Sequence, residues 1–240
     1  MKISQPLALP SISVASGAIT PLPPDLVVDQ DQYIQNVSLL MHMDGTDGST
    51  TFVDEMGHTT TAYGNAKIST TQSRFGGSSG YFDGVGDYLT IANSSSFLFG
   101  SSDMTIEFWF NTTQTTAAAT LLTQEWGSSP YSGGWAIQLN GGSSSAHLTI
   151  FWADWNTSST FMTSASTAYR DGQWHHFAWV KSGTNHYMFL DGALTASNTA
   201  STSFAPTTTN ITIGNDLTFG SGARCYNCLL YTSDAADDTP

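Results

Sequence analysis

From Asn36 onward the chain repeats one pattern: short apolar alternations cut at close intervals by Gly, Asn, Asp and Ser. That punctuation leaves no room for a long helix and suits short strands. Thr105–Phe110 shows it best. Ile106, Phe108 and Phe110 fall on one side of an extended chain, and Thr105, Glu107 and Trp109 on the other, because successive side chains in a strand point to opposite faces. The same signal predicts strands over Val37–Met43, Tyr81–Ile91, Met104–Asn111, Thr120–Glu125, Trp135–Leu139, His147–Ala153, Gln173–Lys181, His186–Leu190 and Asn210–Gly214. Ser182–Asn185 reads as a hairpin loop, and Asp191-Gly192 as the next tight turn, since Gly tolerates positive φ.

Hydrophobic residues make up 40% of the 240, enough to fill a sizeable core, and charged residues only 10%. Polarity therefore rests on Ser, Thr, Asn and Gly, which argues for an all-β chain and against bundles, coiled coils or a disordered acidic chain. The net charge of −13 comes from six Lys plus Arg against 19 Asp plus Glu. An acidic surface with no basic cluster repels phosphate backbones, which excludes nucleic acid and anionic membrane as expected partners. Divalent cations and neutral polymers such as glycans stay open. No apolar run approaches the roughly 18–20 residues of a membrane helix, so no membrane insertion is expected.

Residues 1–35 differ from the rest. They hold five of the eight prolines, from Pro6 to Pro24, with no sustained period. Proline fixes φ and removes a donor, so this stretch reads as an extended arm or linker. The two cysteines, Cys225 and Cys228, lie close together near the end and form neither a disulfide framework nor a four-ligand zinc set.

Six segments in order carry a family resemblance: Leu39–Gly45 with Asp54–Gly57, Arg74–Leu89, Met104–Phe110, Asp171–Lys181, Met188–Gly192 and Ile211–Gly214. The chain resembles the laminin-G-like, concanavalin A-like domains found in phage tail fibres and bacterial surface proteins. The resemblance implies a jelly-roll sandwich of two antiparallel sheets over residues 36–227. It also implies a binding module rather than a catalyst, although this fold hosts lectins, adhesion modules and glycosidases alike. From Cys228 the sequence leaves the family pattern and resembles translated sequencing adapter. Residues 228–240 are therefore expected to be a non-native tail from a truncated, metagenomic reading frame, and the sandwich to lack its last strand.

Chemistry is sparse. A glycosidase needs two carboxylates about 5–10 Å apart. Relatives that cleave glucans carry them in a Glu-x-Asp-x-x-Glu run, and this chain has only Glu55, Glu107 and Glu125, in no such run. No catalytic residue is assigned. His175 and His176 are adjacent in a strand and point apart, so they do not chelate one ion together. No His-Glu-x-x-His spacing occurs, and no Gly-x-Ser-x-Gly elbow precedes a helix. Calcium is a candidate cofactor, because hard cations gather carboxylate and loop oxygens. Asp44 and Asp87, in the acid-rich turns Asp44–Gly48 and Asp83–Asp87, are the candidate ligands. Trp109, Trp135, Trp174 and Trp179 fall in strands and read as core.

Trp126 and Tyr131 fall in one turn-rich segment, and Asp154, Trp155 and Asn156 in another. Flat aromatic faces with Asn and Asp beside them suit sugar rings, and rigid β scaffolds carry binding on their loops. These five residues are the candidate ligand contacts. The expectation is a carbohydrate- or receptor-binding domain of a virion, phage tail or cell-surface protein. It would work within a larger assembly, a homotrimer being common among fibres. The alternatives are a polysaccharide-cleaving glycosidase of the same fold and a ligand-free structural spacer.

Overall fold

The structure is a computed structural model that describes residues 2–4, 34–114, 119–124, 134–140, 147–153, 158–165, 169–202, 204, 209–215 and 227–231. Among these, sixteen strands form two sheets, every pairing antiparallel. One sheet runs in the order β14 (Ala193–Thr199), β13 (Asn185–Leu190), β12 (Trp174–Ser182), β7 (Met104–Asn111), β16 (Asn227–Tyr231), β5 (Ser79–Asp83) and β4 (Lys67–Ser69). β1 (Lys2–Ser4) pairs with β2 (Val37–Leu40) and with β7, making nine strands. The other sheet has seven: β11 (Ser158–Thr163), β10 (His147–Ala153), β9 (Trp135–Asn140), β8 (Ala119–Gln124), β15 (Ile211–Ile213), β6 (Tyr88–Ile91) and β3 (Thr60–Tyr63).

The alternation read from Thr105–Phe110 appears as burial. Ile106, Phe108 and Phe110 lie in the core, while Thr105, Glu107 and Trp109 are half-buried on the outward side. Between the sheets Trp179 is fully buried, edge-on to Trp135 at 6.2 Å and to Phe204 at 5.6 Å. Aromatic residues dominate such cores because each removes a large apolar area from water.

Several expectations change. The strand expected over Tyr81–Ile91 is two strands, because the chain leaves one sheet after Asp83 and enters the other at Tyr88. The Asp83–Asp87 turn is the crossing. β3, β4, β11 and β14 carry weak or no apolar alternation; β14 has no buried residue at all. Both expected turns are present. Gly183 (φ 58°) lies in the two-residue β12–β13 loop, and Asp191 (φ 49°) and Gly192 (φ 77°) form the next. Positive φ at both central positions is the hairpin turn whose twist matches its strands.

The sheet does not lack its last strand. β16 lies between β5 and β7, Cys228 opposite Phe82 and Leu230 opposite Phe110, with Leu230 buried. Asn227–Leu230 pair with β5 and Leu229–Tyr231 with β7, so the strand satisfies backbone groups on both neighbours whatever the quality of its apolar pattern. The sandwich thus extends past residue 227, through Tyr231; residues 232–240 of the expected tail lie outside the described set. The expected arm is corrected at its start, since Lys2–Ser4 pairs with Leu40–Val37 and Glu107–Thr105. Residues 5–33 lie outside the described set.

Candidate functional site

Register assigns the outward side of the seven-stranded sheet. Thr61, Thr90, Thr212 and Thr123 lie abreast across β3, β6, β15 and β8. Beside them Thr120, Gln138, Thr149 and Thr163 lie abreast across β8 to β11. Their chain neighbours Leu89, Ile91, Ile137, Ile150, Ile211 and Ile213 face the core, so these hydroxyls and the amide face away from it. Even so, Thr120 and Gln138 are both 0% exposed. Gln138 Nε2 donates to Thr120 Oγ1 at 3.0 Å, and Thr123 Oγ1 donates to the Trp135 carbonyl at 3.0 Å. At the β3 edge Tyr63 and Tyr88 stack, centroids 4.4 Å apart and planes within 10°. No Asp, Glu, Lys or Arg stands among these positions. The face is polar and uncharged; Thr61 and Thr163 at its two edges are exposed, and the positions between them are screened from water.

The five candidate ligand contacts, Trp126, Tyr131, Asp154, Trp155 and Asn156, fall outside the described residues. The strand ends that flank their two segments are described. Gln124 pairs with Trp135, Trp135 with Trp152, and Ala153 with Ser158, so both segments are attached at one end of the seven-stranded sheet. At that end the indole Nε1 atoms of Trp135 and Trp152 are buried and have no acceptor among the described residues.

The outward side of the nine-stranded sheet differs. Trp109 lies opposite His176, and Asn111 opposite Trp174. Both tryptophans are half-buried there and not core as expected, whereas Trp135 and Trp179 are core. The Arg74 guanidinium lies 4.5 Å from the Trp109 ring and 4.7 Å from that of Phe75. Glu107 Oε2 is 3.6 Å from His176 Nε2. Sequence inspection took Arg74–Leu89 only as a family signature. The outward parity of Trp109 was the available signal that something would cover it.

The expected calcium ligands do not form a site. Asp44 accepts from Ser78 Oγ at 3.4 Å, just before β5. Asp87, just past its other end, accepts from the Asp83 and Asn65 amides at 2.7 and 2.5 Å. The five residues of β5 place them on the order of 15 Å apart. Burial pushes the Asp87 carboxyl up against the pull of those two amides. Among the described residues no group of three or more His, Cys, Asp or Glu is disposed to hold a metal ion.

His175 and His176 do point apart. His175 Nδ1 lies 2.9 Å from Asp191 Oδ2 and its Nε2 3.1 Å from Asp171 Oδ1. Burial opposes its charge, yet the hydrogen bonds to Asp191 and Asp171 hold the imidazole above its ordinary value. His186 is the opposite case. Burial, then the nearby Lys181 ammonium, lower it to about 4. It accepts from Trp179 Nε1 at Nδ1 and contacts Thr202 Oγ1 at Nε2.

One constellation escaped the sequence. Asp54 Oδ2 lies 2.5 Å from His58 Nδ1, and His58 Nε2 lies 3.2 Å from Ser96 Oγ. This is the order of a hydrolase relay, but nothing completes it. The amide of Ser96 goes to Ser94 Oγ, that of Phe97 to the Ser94 carbonyl and that of Leu98 to the Ser95 carbonyl. No donor after the serine is left for an oxyanion. Asp54 also accepts from the amides of Leu40, Met56 and His58, so it ties this loop to β2.

Two antiparallel sheets sharing one core form a β-sandwich, the architecture of the concanavalin A-like fold. The sequence profile of the laminin-G type described as "Concanavalin A-like lectin/glucanases superfamily" matches residues 82–228, more than half of the chain, and the chain belongs to that family. Similar solved structures include domain 4 of an extracellular arabinanase from Geobacillus stearothermophilus, in complex with arabinotriose. It is 13% identical, with 80% of this chain and 90% of that one covered and a TM-score of 0.51. The binding domain of botulinum neurotoxin DC, in complex with SialylT, is 12% identical over 80% of this chain and 48% of that one, TM-score 0.53. The mouse laminin alpha1 chain, domains LG4-5, is 20% identical over 64% of this chain and 39% of that one, TM-score 0.48. The chain thus spans less than half the length of the laminin and neurotoxin chains it matches. No curated protein sequence matches it.

Proposed function

We propose that this domain is a non-catalytic glycan-binding module of an extracellular, cell-surface or virion protein, working as one part of a larger assembly. The observation that carries the proposal is the pairing of Gln124 with Trp135, Trp135 with Trp152 and Ala153 with Ser158, which attaches both aromatic segments at one end of a sheet whose outward side carries no charge. Hydroxyls and amides exchange hydrogen bonds with neutral sugars and impose no charge requirement, while aromatic rings supply the flat apolar contact. Trp126, Tyr131, Asp154, Trp155 and Asn156 are the contacts. The arabinanase domain, whose structure holds arabinotriose, supports the compatibility of such a scaffold with an oligosaccharide. Against an enzyme stand the isolated Glu107 and the relay without oxyanion donors. Calcium has no assigned part, because Asp44 and Asp87 are held apart.

The test is a neutral glycan array followed by titration of the best ligand. Replacing Trp126 and Trp155 together by Ala should weaken binding by about tenfold or more, as loss of aromatic anchors does, with an unchanged melting temperature. Undiminished binding by a folded double variant refutes the assignment. Failure of the parent to bind any array glycan leaves the spacer function in its place.

A further inference from the structure

We propose a second ligand site on the opposite side of the sandwich, in which Arg74 takes the carboxylate of a terminal acidic sugar. Phe75 and Trp109 stand nearly perpendicular, 77° between planes with centroids 5.9 Å apart. The Arg74 guanidinium occupies the corner, within 5 Å of both rings. A guanidinium held on ring faces keeps its charge and directs its N–H edges outward, in the fork that matches a carboxylate bidentately. Arg74 is exposed, and among the described residues its N–H groups have no acceptor and its charge no ion-pair partner.

That is unusual in a chain with 19 acids and six Lys plus Arg. Lys181, by contrast, is buried and spends its ammonium on the carbonyls of Ser101 and Ser102. Beside Arg74, Asn111 Nδ2 donates to Gln72 Oε1 at 3.2 Å. This orients the exposed Gln72 amide with its Nε2 free to donate to a sugar hydroxyl. Glu107, held 3.6 Å from His176, forms an acidic border on the same face. Together with the net charge of −13 it repels a polyanion, so the ligand carries one carboxylate at an end and not a charged chain. The site is independent of the neutral face and of the segments that carry Trp126 and Trp155.

The probes are methyl β-glucuronide and methyl β-glucoside, which differ only in the carboxylate, titrated into the whole chain while the Trp109 indole N–H resonance is followed. The glucuronide should shift that resonance saturably and the glucoside should not. Arg74→Met should weaken the glucuronide by about fivefold or more, the scale of one lost charged contact, and Arg74→Lys by less. In the parent, raising salt from roughly 20 mM to roughly 500 mM should weaken it several-fold through screening. Equal shifts by both sugars, salt-independent binding, or a folded Arg74→Met variant with unchanged affinity would each overturn the proposal.

Discussion

On the seven-stranded sheet the outward positions of β3, β6, β15 and β8 are Thr61, Thr90, Thr212 and Thr123, with no Asp, Glu, Lys or Arg among them. On the nine-stranded sheet the outward positions of β7 and β12 include Glu107, Trp109, Trp174 and His176, with Arg74 across Trp109. The inward positions of both sheets are alike in being apolar: Leu, Ile, Phe, Met and Trp. Folding therefore constrains which side of a strand is apolar and leaves the chemistry of the other side free. That freedom lets one core support a neutral face and a charged one.

The sharpest way to break the contrast is to put charge where there is none. Thr212 is 5% exposed between Thr90 and Thr123. Thr212→Glu should cost about 3–5 kcal/mol, because it leaves an uncompensated charge in a screened position; chemical denaturation measures it. A smaller effect comes from His186. The unfolded chain binds its proton near pH 6.5 and the folded chain only near 4, so the unfolded state holds more protons between those values. Stability should fall as pH drops from 6.5 toward 4 and level off below. The loss is on the order of 1–2 kcal/mol after allowance for partial screening. Urea midpoints at several pH values should show this slope, and His186→Gln should flatten it. His175, raised by its carboxylates, acts with the opposite sign and only above 6.5, so the windows are separable. The smallest effect is on the charged face. Glu107→Gln removes a half-exposed partner of His176 and should change stability by no more than about 0.5–1 kcal/mol in the same assay.

Much of the fold was legible from period two. Met104–Asn111 and His147–Ala153 begin and end as the alternation predicts. What escaped were strands whose stability is borrowed. β3 and β14 are edges with little buried apolar surface, and their pairing is decided by neighbours and not by their own residues. The neutral face was hidden for a related reason: a Thr at every second position looks like ordinary strand surface until register lines four of them up. The relay of Asp54, His58 and Ser96 spans 42 residues and owes its geometry to a loop and a short turn, so no local spacing announced it. The aromatic segments were visible as composition, and only the pairing of Gln124, Trp135 and Trp152 relates them in space.

The position of β16 sets a timetable for synthesis. The seven-stranded sheet has all its strands once Ile213 has been made. The other sheet keeps β5 and the Trp109–Asn111 end of β7 apart, each with an open edge, until Asn227–Tyr231 emerges to bridge them; β1 pairs with β7 over Thr105–Glu107. Throughout that interval the nascent chain presents two unpaired strand edges around exposed Phe82 and Phe110, the kind of surface that recruits other chains. Yield in the cell then depends on how quickly β16 arrives, and slow translation between Ile213 and Asn227 should favour aggregation over closure.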